Sequence, residues 1–238
     1  MLFRSGIGES LQASVTAKGT VSDADLTIVA KSRAVNVDVG LKTAAGVLTS
    51  SRPGTVAVQG GGLMPLIPGL DAALAQSGMK LDRLPDFRAT IDNVRLPLPT
   101  SGKPLDLRGG ALAVSVETTQ TTGTVSVPGA DGKPGPAQAM NIAPLKASLV
   151  SADLGGKTTM TASSSATIGG KSAGVLAVDL SVSRLLNSAG AAGMPGTIEG
   201  TARLSGVATA LAQPFVEKMN LQLAQDVGPE LDLTLTAA

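Results

Sequence analysis

Five stretches of this chain alternate apolar and hydrophilic residues with a period of two, and that alternation restricts the fold more than any other feature. Successive side chains of a strand point to opposite faces, so the pattern collects the apolar residues on one side. In residues 24–30, Ala24, Leu26, Ile28 and Ala30 oppose Asp25 and Thr27. In residues 34–41, Val35, Val37, Val39 and Leu41 oppose Asn36 and Asp38. Leu112, Val114 and Val116 oppose Ser115 and Glu117, and Leu176, Val178, Leu180 and Val182 oppose Asp179, Ser181 and Ser183. Near the end, Leu231, Leu233 and Leu235 oppose Asp232, Thr234 and Thr236. One apolar and one wet face is the mark of antiparallel sheet, whereas a parallel sheet under helices shows continuous apolar runs.

The rest of the chain fits that frame. Weaker strand patterns cover 11–17, 46–49, 55–59, 87–98, 122–127, 146–154, 157–163 and 196–209. In the 87–98 run Ile91 and Val94 fall out of phase, which predicts a bulge or register change. The Lys31, Ser32, Arg33 region reads as a hairpin turn between two strands. Two or three short helices are expected: one within 65–78, one turn at 185–189, and one at 210–226. The last carries an apolar stripe of Leu211, Phe215, Met219 and Leu223, with Pro214 suited to its first turn. That stripe reads as packing on the sheet rather than as a partner-binding face. The segments 123–135 and 187–196 are rich in turn residues and read as loops, since strand patterns resume on both sides. The expected fold class is mainly β: an extended, curved antiparallel sheet, groove-like, forming one unit over residues 6–238.

Composition removes most catalytic chemistry. The chain has no His and no Cys, so Ser-His-Asp catalysis, zinc–thiolate sites, cysteine nucleophiles and disulfides are all excluded within it. The remaining titratable groups show no spacing that suggests a Ser-Lys or paired-carboxylate site, and the expectation is that this is not an enzyme. Net charge is +1 with scattered Lys and Arg, and the only aromatics are Phe3, Phe87 and Phe215. Nucleic acid needs a basic stripe and stacking platforms, so no nucleic-acid partner is expected. Apolar residues make up 43% of the chain but aromatics only 1%. A thick core normally uses aromatics as filler, so their scarcity points to a thin structure.

Local motifs add no site. Gly60, Gly61 and Gly62 lack the Lys-Ser/Thr pair of a phosphate-binding loop and read as a strand-to-helix connection. Gly6 and Gly8 lack the frame of a dinucleotide fingerprint. Asp82, Asp86 and Asp92 lack the spacing of a calcium loop and read as turn residues, while Arg88 and Arg95 belong on a wet face. No metal and no cofactor is expected. The most apolar stretch, 63–75, is too short and too interrupted to span a membrane. Residues 1–5 back-translate to ATG CTC TTC CGA TCT, which matches the end of a common sequencing adapter. They are read as an assembly artefact, with the natural chain expected to begin upstream.

One internal match stands out. Residues 6–17, GIGESLQASVTA, align without a gap to residues 226–237, DVGPELDLTLTA. Gly8, Leu11, Thr16 and Ala17 meet Gly228, Leu231, Thr236 and Ala237. The expectation is a long-period repeat, with about one copy and the start of the next in this chain.

Three passages carry a family resemblance: residues 23–58 (DADLTIVAKSRAVNVDVGLKTAAGVLTSSRPGTVAV), residues 87–99 (FRATIDNVRLPLP) and the 226–237 segment. With the rhythm of short strands, a G-x-L-x-x-x-x-P crossing at 46–53 and a short helix, they resemble the AsmA-like proteins of bacterial envelopes, a group that includes the TamB-type proteins. The resemblance covers most of residues 6–238. It implies a periplasmic or cell-envelope location, an anchor in a preceding segment, neighbouring repeats of the same chain as partners, and membrane contact through other parts of the protein. It implies a long sheet with an apolar floor that carries phospholipid acyl chains between membranes, or serves outer-membrane biogenesis, and no catalytic residues. The floor is expected to consist of Val35, Val37, Val39, Leu112, Val114, Val116, Leu176, Val178, Leu180, Leu231, Leu233 and Leu235. An uncovered face of that kind marks a binding surface. Two alternatives stand beside it: the same residues facing a second sheet in a closed core, and a β-rich stalk or surface repeat with no ligand.

Overall fold

In the computed structural model, the residues described are 11–20, 22–62, 72, 74, 75, 78–99, 106–128, 134–184, 186, 196–209 and 223–237. They contain fifteen strands. These are β1 (Gln12–Thr20), β2 (Asp23–Lys31), β3 (Val35–Ala44), β4 (Val47–Ser50), β5 (Gly54–Val58), β6 (Met79–Leu81), β7 (Phe87–Pro97) and β8 (Ala111–Thr118), followed by β9 (Thr121–Pro128), β10 (Pro134–Ile142), β11 (Lys146–Ser151), β12 (Lys157–Ile168), β13 (Lys171–Ser183), β14 (Thr197–Ala208) and β15 (Glu230–Ala237).

All fifteen belong to one sheet, and every pairing is antiparallel. The main path runs β1-β2-β3-β4-β7-β8-β11-β12 and continues through β13 and β14 to β15. β5 continues the place of β4 between β3 and β7. The long strand β12 forks the sheet. Its first half pairs with β11, and residues 166–168 pair with β10 on the same side. From β10 a short arm runs through β9 to β6.

The local chemistry explains these elements. The β2–β3 hairpin falls at the expected turn: the Ser32 amide donates to the Val35 carbonyl at 2.7 Å, and the Ser32 hydroxyl accepts from the Ala34 and Val35 amides. Serine closes turns in this way by capping nearby amides. The expected irregularity in the 87–98 run is a bulge between Ile91 and Asn93, which returns Val94 to the face of Ile91. A second bulge lies between Leu204 and Val207, where Gly206 takes a φ of 57° and its amide donates to Asp232 Oδ1. A left-handed glycine is the usual residue for such a bulge. At the fork, hydroxyls take over from the ladder. The Leu145 amide donates to Thr118 Oγ1, the Asp86 amide to Thr119 Oγ1, and Ser164 Oγ to the Ala143 carbonyl, each at 2.9 Å.

Several expectations are corrected. The 46–53 segment is no crossing. It forms β4, breaks at residues 51–53, and resumes as β5 beside the same neighbours. Arg52 pairs with Asp38 across the break, and the Ser51 amide donates to Gly40. The strand expected at 122–127 is found as β9, but β9 runs on to Pro128 and β10 begins at Pro134, so the loop expected at 123–135 is shortened at both ends. The Gly and Pro content misled because Gly123 serves close packing within a strand, where a Cβ would come within 2.2 Å of the Lys80 carbonyl oxygen. Described helix amounts to a 3-10 turn at Gly60–Gly62, helical residues at 72, 74, 75 and 209, and one turn at Leu223–Asp226. The helix expected at 210–226 lies mostly outside the described residues, as do the Leu211, Phe215 and Met219 stripe and nearly all of the 187–196 loop. Leu186, within the expected 185–189 turn, forms an isolated β-bridge.

The buried core is small. Met79, Val125, Met140, Ile168 and Ala173 cluster where the arm meets the end of β12, with Leu74, Leu81, Ile142 and Ala208 packed against them. Near the opposite end of β12 the Thr158 hydroxyl is buried with no hydrogen-bond partner among the described residues. A buried, unsatisfied hydroxyl costs about 1–3 kcal/mol. Thr158→Val, nearly the same shape, is therefore expected to raise stability by roughly 1 kcal/mol in a urea titration. A loss of stability would mean that the hydroxyl is bonded in solution.

Candidate functional site: the apolar face of the sheet

Residues opposite one another in a ladder share a face, so the register reveals how the faces join. Leu26 and Ile28 on β2 oppose Leu41 and Val39 on β3. Val37 opposes Val56, which opposes Ala89 on β7. Ala89 and Ile91 oppose Val116 and Val114, and Val114 opposes Leu149 on β11. The rows run on from Leu149 through Met160 and Leu180, and from Leu176 through Leu204 to Leu233. The apolar residues of the separate strands thus fuse into one face along the whole main path. With neighbouring strands about 4.8 Å apart, eleven strands extend roughly 50 Å.

All twelve predicted floor residues lie on this face, by the alternation of their own strands and the register between them. None is buried. Val35, Val37, Val39, Leu112, Val114, Val116, Leu176, Val178, Leu180 and Leu231 are half-buried, and Leu233 and Leu235 are exposed by 51% and 63%. All the described strands belong to one sheet, so among the described residues no second sheet covers this face. Among the described residues its buried hydrophobic cluster is the one around Met140, and Thr43, Thr118, Ser151 and Thr158 on the same face are buried as well.

No family model, curated protein or solved structure matches this chain. Its reading therefore rests on the surface itself.

The opposite face is hydrophilic and generally more exposed. One row across it is Thr90, Ser115, Ser148, Thr161, Asp179 and Thr201; the next holds Arg88, Glu117 and Lys146. The Ser148 and Thr161 hydroxyls are bonded at 2.7 Å, and Lys146 lies 3.7 Å from Glu117. A cleft of about 510 Å³ lies over these two rows. Val150 and Val175 are the exposed apolar exceptions on this side. A second cavity, of about 600 Å³, lies beside β6 and is lined by Leu74, Met79, Leu81 and Leu84 among others. Neither cavity lies over the middle of the apolar face.

Of the charged residues singled out in the sequence, Asp82, Asp86 and Arg95 have structural partners. Asp86 accepts the Gly60 amide at 2.9 Å, and Asp82 accepts the Thr122 hydroxyl at 2.6 Å. Gly60 is required by close approach, since a Cβ there would lie 2.3 Å from the Leu84 carbonyl oxygen. Arg95 donates to the Gly109 carbonyl from the hydrophilic side. Asp92 sits at the β7 bulge. Among the described residues no group of acidic side chains is placed to hold a metal ion.

The strongest electrostatic effect is local and exposed. Hydrogen bonds from the Arg108 side chain, with help from the Arg108 amide, hold the Asp106 carboxyl at about 2. The ordinary unfolded value is near 3.9. The pairing's contribution is therefore complete above about pH 4 and is lost as pH falls through about 2. An NMR titration should place the Asp106 midpoint near 2, and Arg108→Gln should move it up towards the ordinary range. An ordinary midpoint in the unaltered chain would mean that the pair is not formed in solution.

Proposed function

We propose that this chain is a non-catalytic lipid-carrying segment of a cell-envelope protein of the AsmA-like kind, with its apolar sheet face as the acyl-chain track. One observation carries the reading: an apolar face continuous across eleven strands, with none of the twelve floor residues buried and no second sheet among the described residues. Water contact at such a surface is costly, and an acyl chain removes it at about 0.8 kcal/mol for each methylene fully buried. Small and branched side chains suit this task because they leave a low floor under a flexible chain, and Phe87 is the one aromatic on this face among the described residues. The finer shape in this proposal is a curved groove with the apolar side inward, flanked by two or three short helices. The lower exposure of the apolar face relative to the hydrophilic one supports that curvature.

The test is direct. Protein extracted in mild detergent is analysed by lipid mass spectrometry, and the same preparation is assayed for moving labelled phospholipid between vesicles. Co-purifying phospholipid together with transfer is expected. Protein free of lipid and inert in the transfer assay would instead indicate a passive stalk.

A further inference from the structure

The chain has no cysteine, so its sulfur chemistry is that of methionine. Three methionines lie among the described residues, and they differ in their access to solvent. Met79 is 8% exposed and Met140 2%, both within the buried cluster, whereas Met160 is 38% exposed. Met160 lies on the apolar face, between Leu149 of β11 and Leu180 of β13.

Its place on β12 gives that exposure a consequence. β12 stands between β11 and β13, so anything that follows the main path across the face must cross it. Along these ladders β12 turns Thr158, Met160, Ala162 and Ser164 to the apolar side. Two of these carry hydroxyls and Ala162 is a single methyl, so Met160 is the one large apolar side chain of the set. β11 depends on Leu149 in the same way, since Ala147 and Ser151 are its other residues on this face. By contrast β8 offers Leu112, Val114 and Val116, and β13 offers Leu176, Val178, Leu180 and Val182. Between β8 and β13 the floor therefore narrows to the opposed pair Leu149 and Met160.

We propose that Met160 is an oxidation site at the narrowest point of the apolar track, and that its sulfoxide interrupts the track. The interruption rests on the lipid-carrying reading. The oxidant is hydrogen peroxide. An S–O bond forms at Met160 Sδ, the peroxide O–O bond breaks, and the second oxygen leaves as water with both hydrogens. The thioether is oxidised by two electrons and the peroxide is reduced by two. The product is a polar side chain where a flexible apolar one stood. Its sulfinyl oxygen holds water between Leu149 and Leu180, and an acyl chain laid over it leaves that hydrogen bond unmade.

Peroxide titration of the full chain tests both halves. Peptide mapping by mass spectrometry should find oxygen on Met160 well before Met79 and Met140, and the reverse order overturns the proposal. In the vesicle assay, complete oxidation of Met160 should lower phospholipid transfer roughly tenfold. Met160→Leu keeps the apolar bulk without the sulfur and should transfer equally before and after peroxide. Met160→Gln, of similar length with a polar end, should show the loss with no peroxide at all. An equal loss in peroxide-treated Met160→Leu puts the damage on another residue and overturns the proposal, as does full transfer by protein oxidised at Met160. Either result leaves the lipid reading standing, whereas an untreated chain that moves no phospholipid ends both.

Discussion

Met140→Ala is expected to lower stability by about 2–5 kcal/mol, the range for truncating a buried methionine to alanine. Met140 is 2% exposed and sits among Met79, Val125, Ile168 and Ala173. The cluster joins the β6–β9–β10 arm to the ends of β12 and β13, and few other apolar side chains are buried among the described residues. A void here has little surrounding core to close it. Leu233→Ala removes a comparable number of carbon atoms from a side chain left 51% exposed, and should cost much less. Urea titration of both variants, with hydrogen exchange along β9 and β10, separates them. Equal losses would mean that the arm is not anchored by this cluster.

Val114→Glu combined with Val178→Glu is expected to cut bound phospholipid and transfer at least tenfold. Both residues lie in the middle of the apolar face, near the rows that join β7 to β13. A carboxylate there keeps its water and interrupts the track, because burying an unpaired charge against acyl chains is strongly unfavourable. The control is built into the strand alternation. Ser115→Glu combined with Ala177→Glu adds the same charge one residue away in each strand, on the hydrophilic face, and should leave lipid unchanged. If the two double variants lose lipid equally, the apolar face is not the track.

Much of this surface was legible in the sequence because period-two alternation is a local signal. It placed the β2–β3 turn and put Ile91 and Val94 out of phase where the bulge lies. It also put Val114 with Val116, and Leu176 with Val178, on common faces. Alternation is silent on lateral partners. Nothing local told β12 to divide its edge between β11 and β10, or β6 to seek β9. The buried cluster was missed for the same reason. Val125 lies in the 122–127 strand pattern, but nothing local named β6 and β10 as its neighbours, and Met79, Met140 and Ile168 come together only through the fork. The break between the 46–49 and 55–59 patterns was visible, but not that both pieces would lie between β3 and β7. In fact the break is bridged through Asp38 and Gly40.

The pairing pattern bears on how such a chain acquires its form. Most ladder partners are hairpin neighbours, and the widest separation in sequence among the described pairs is that of Val47 and Pro97. Contacts this local keep the contact order of the topology low for an all-β protein, and low contact order goes with fast folding. Each new hairpin finds its template already laid down by the one before it. The sheet can therefore be assembled progressively as the ribosome releases it, without waiting for a distant strand to return.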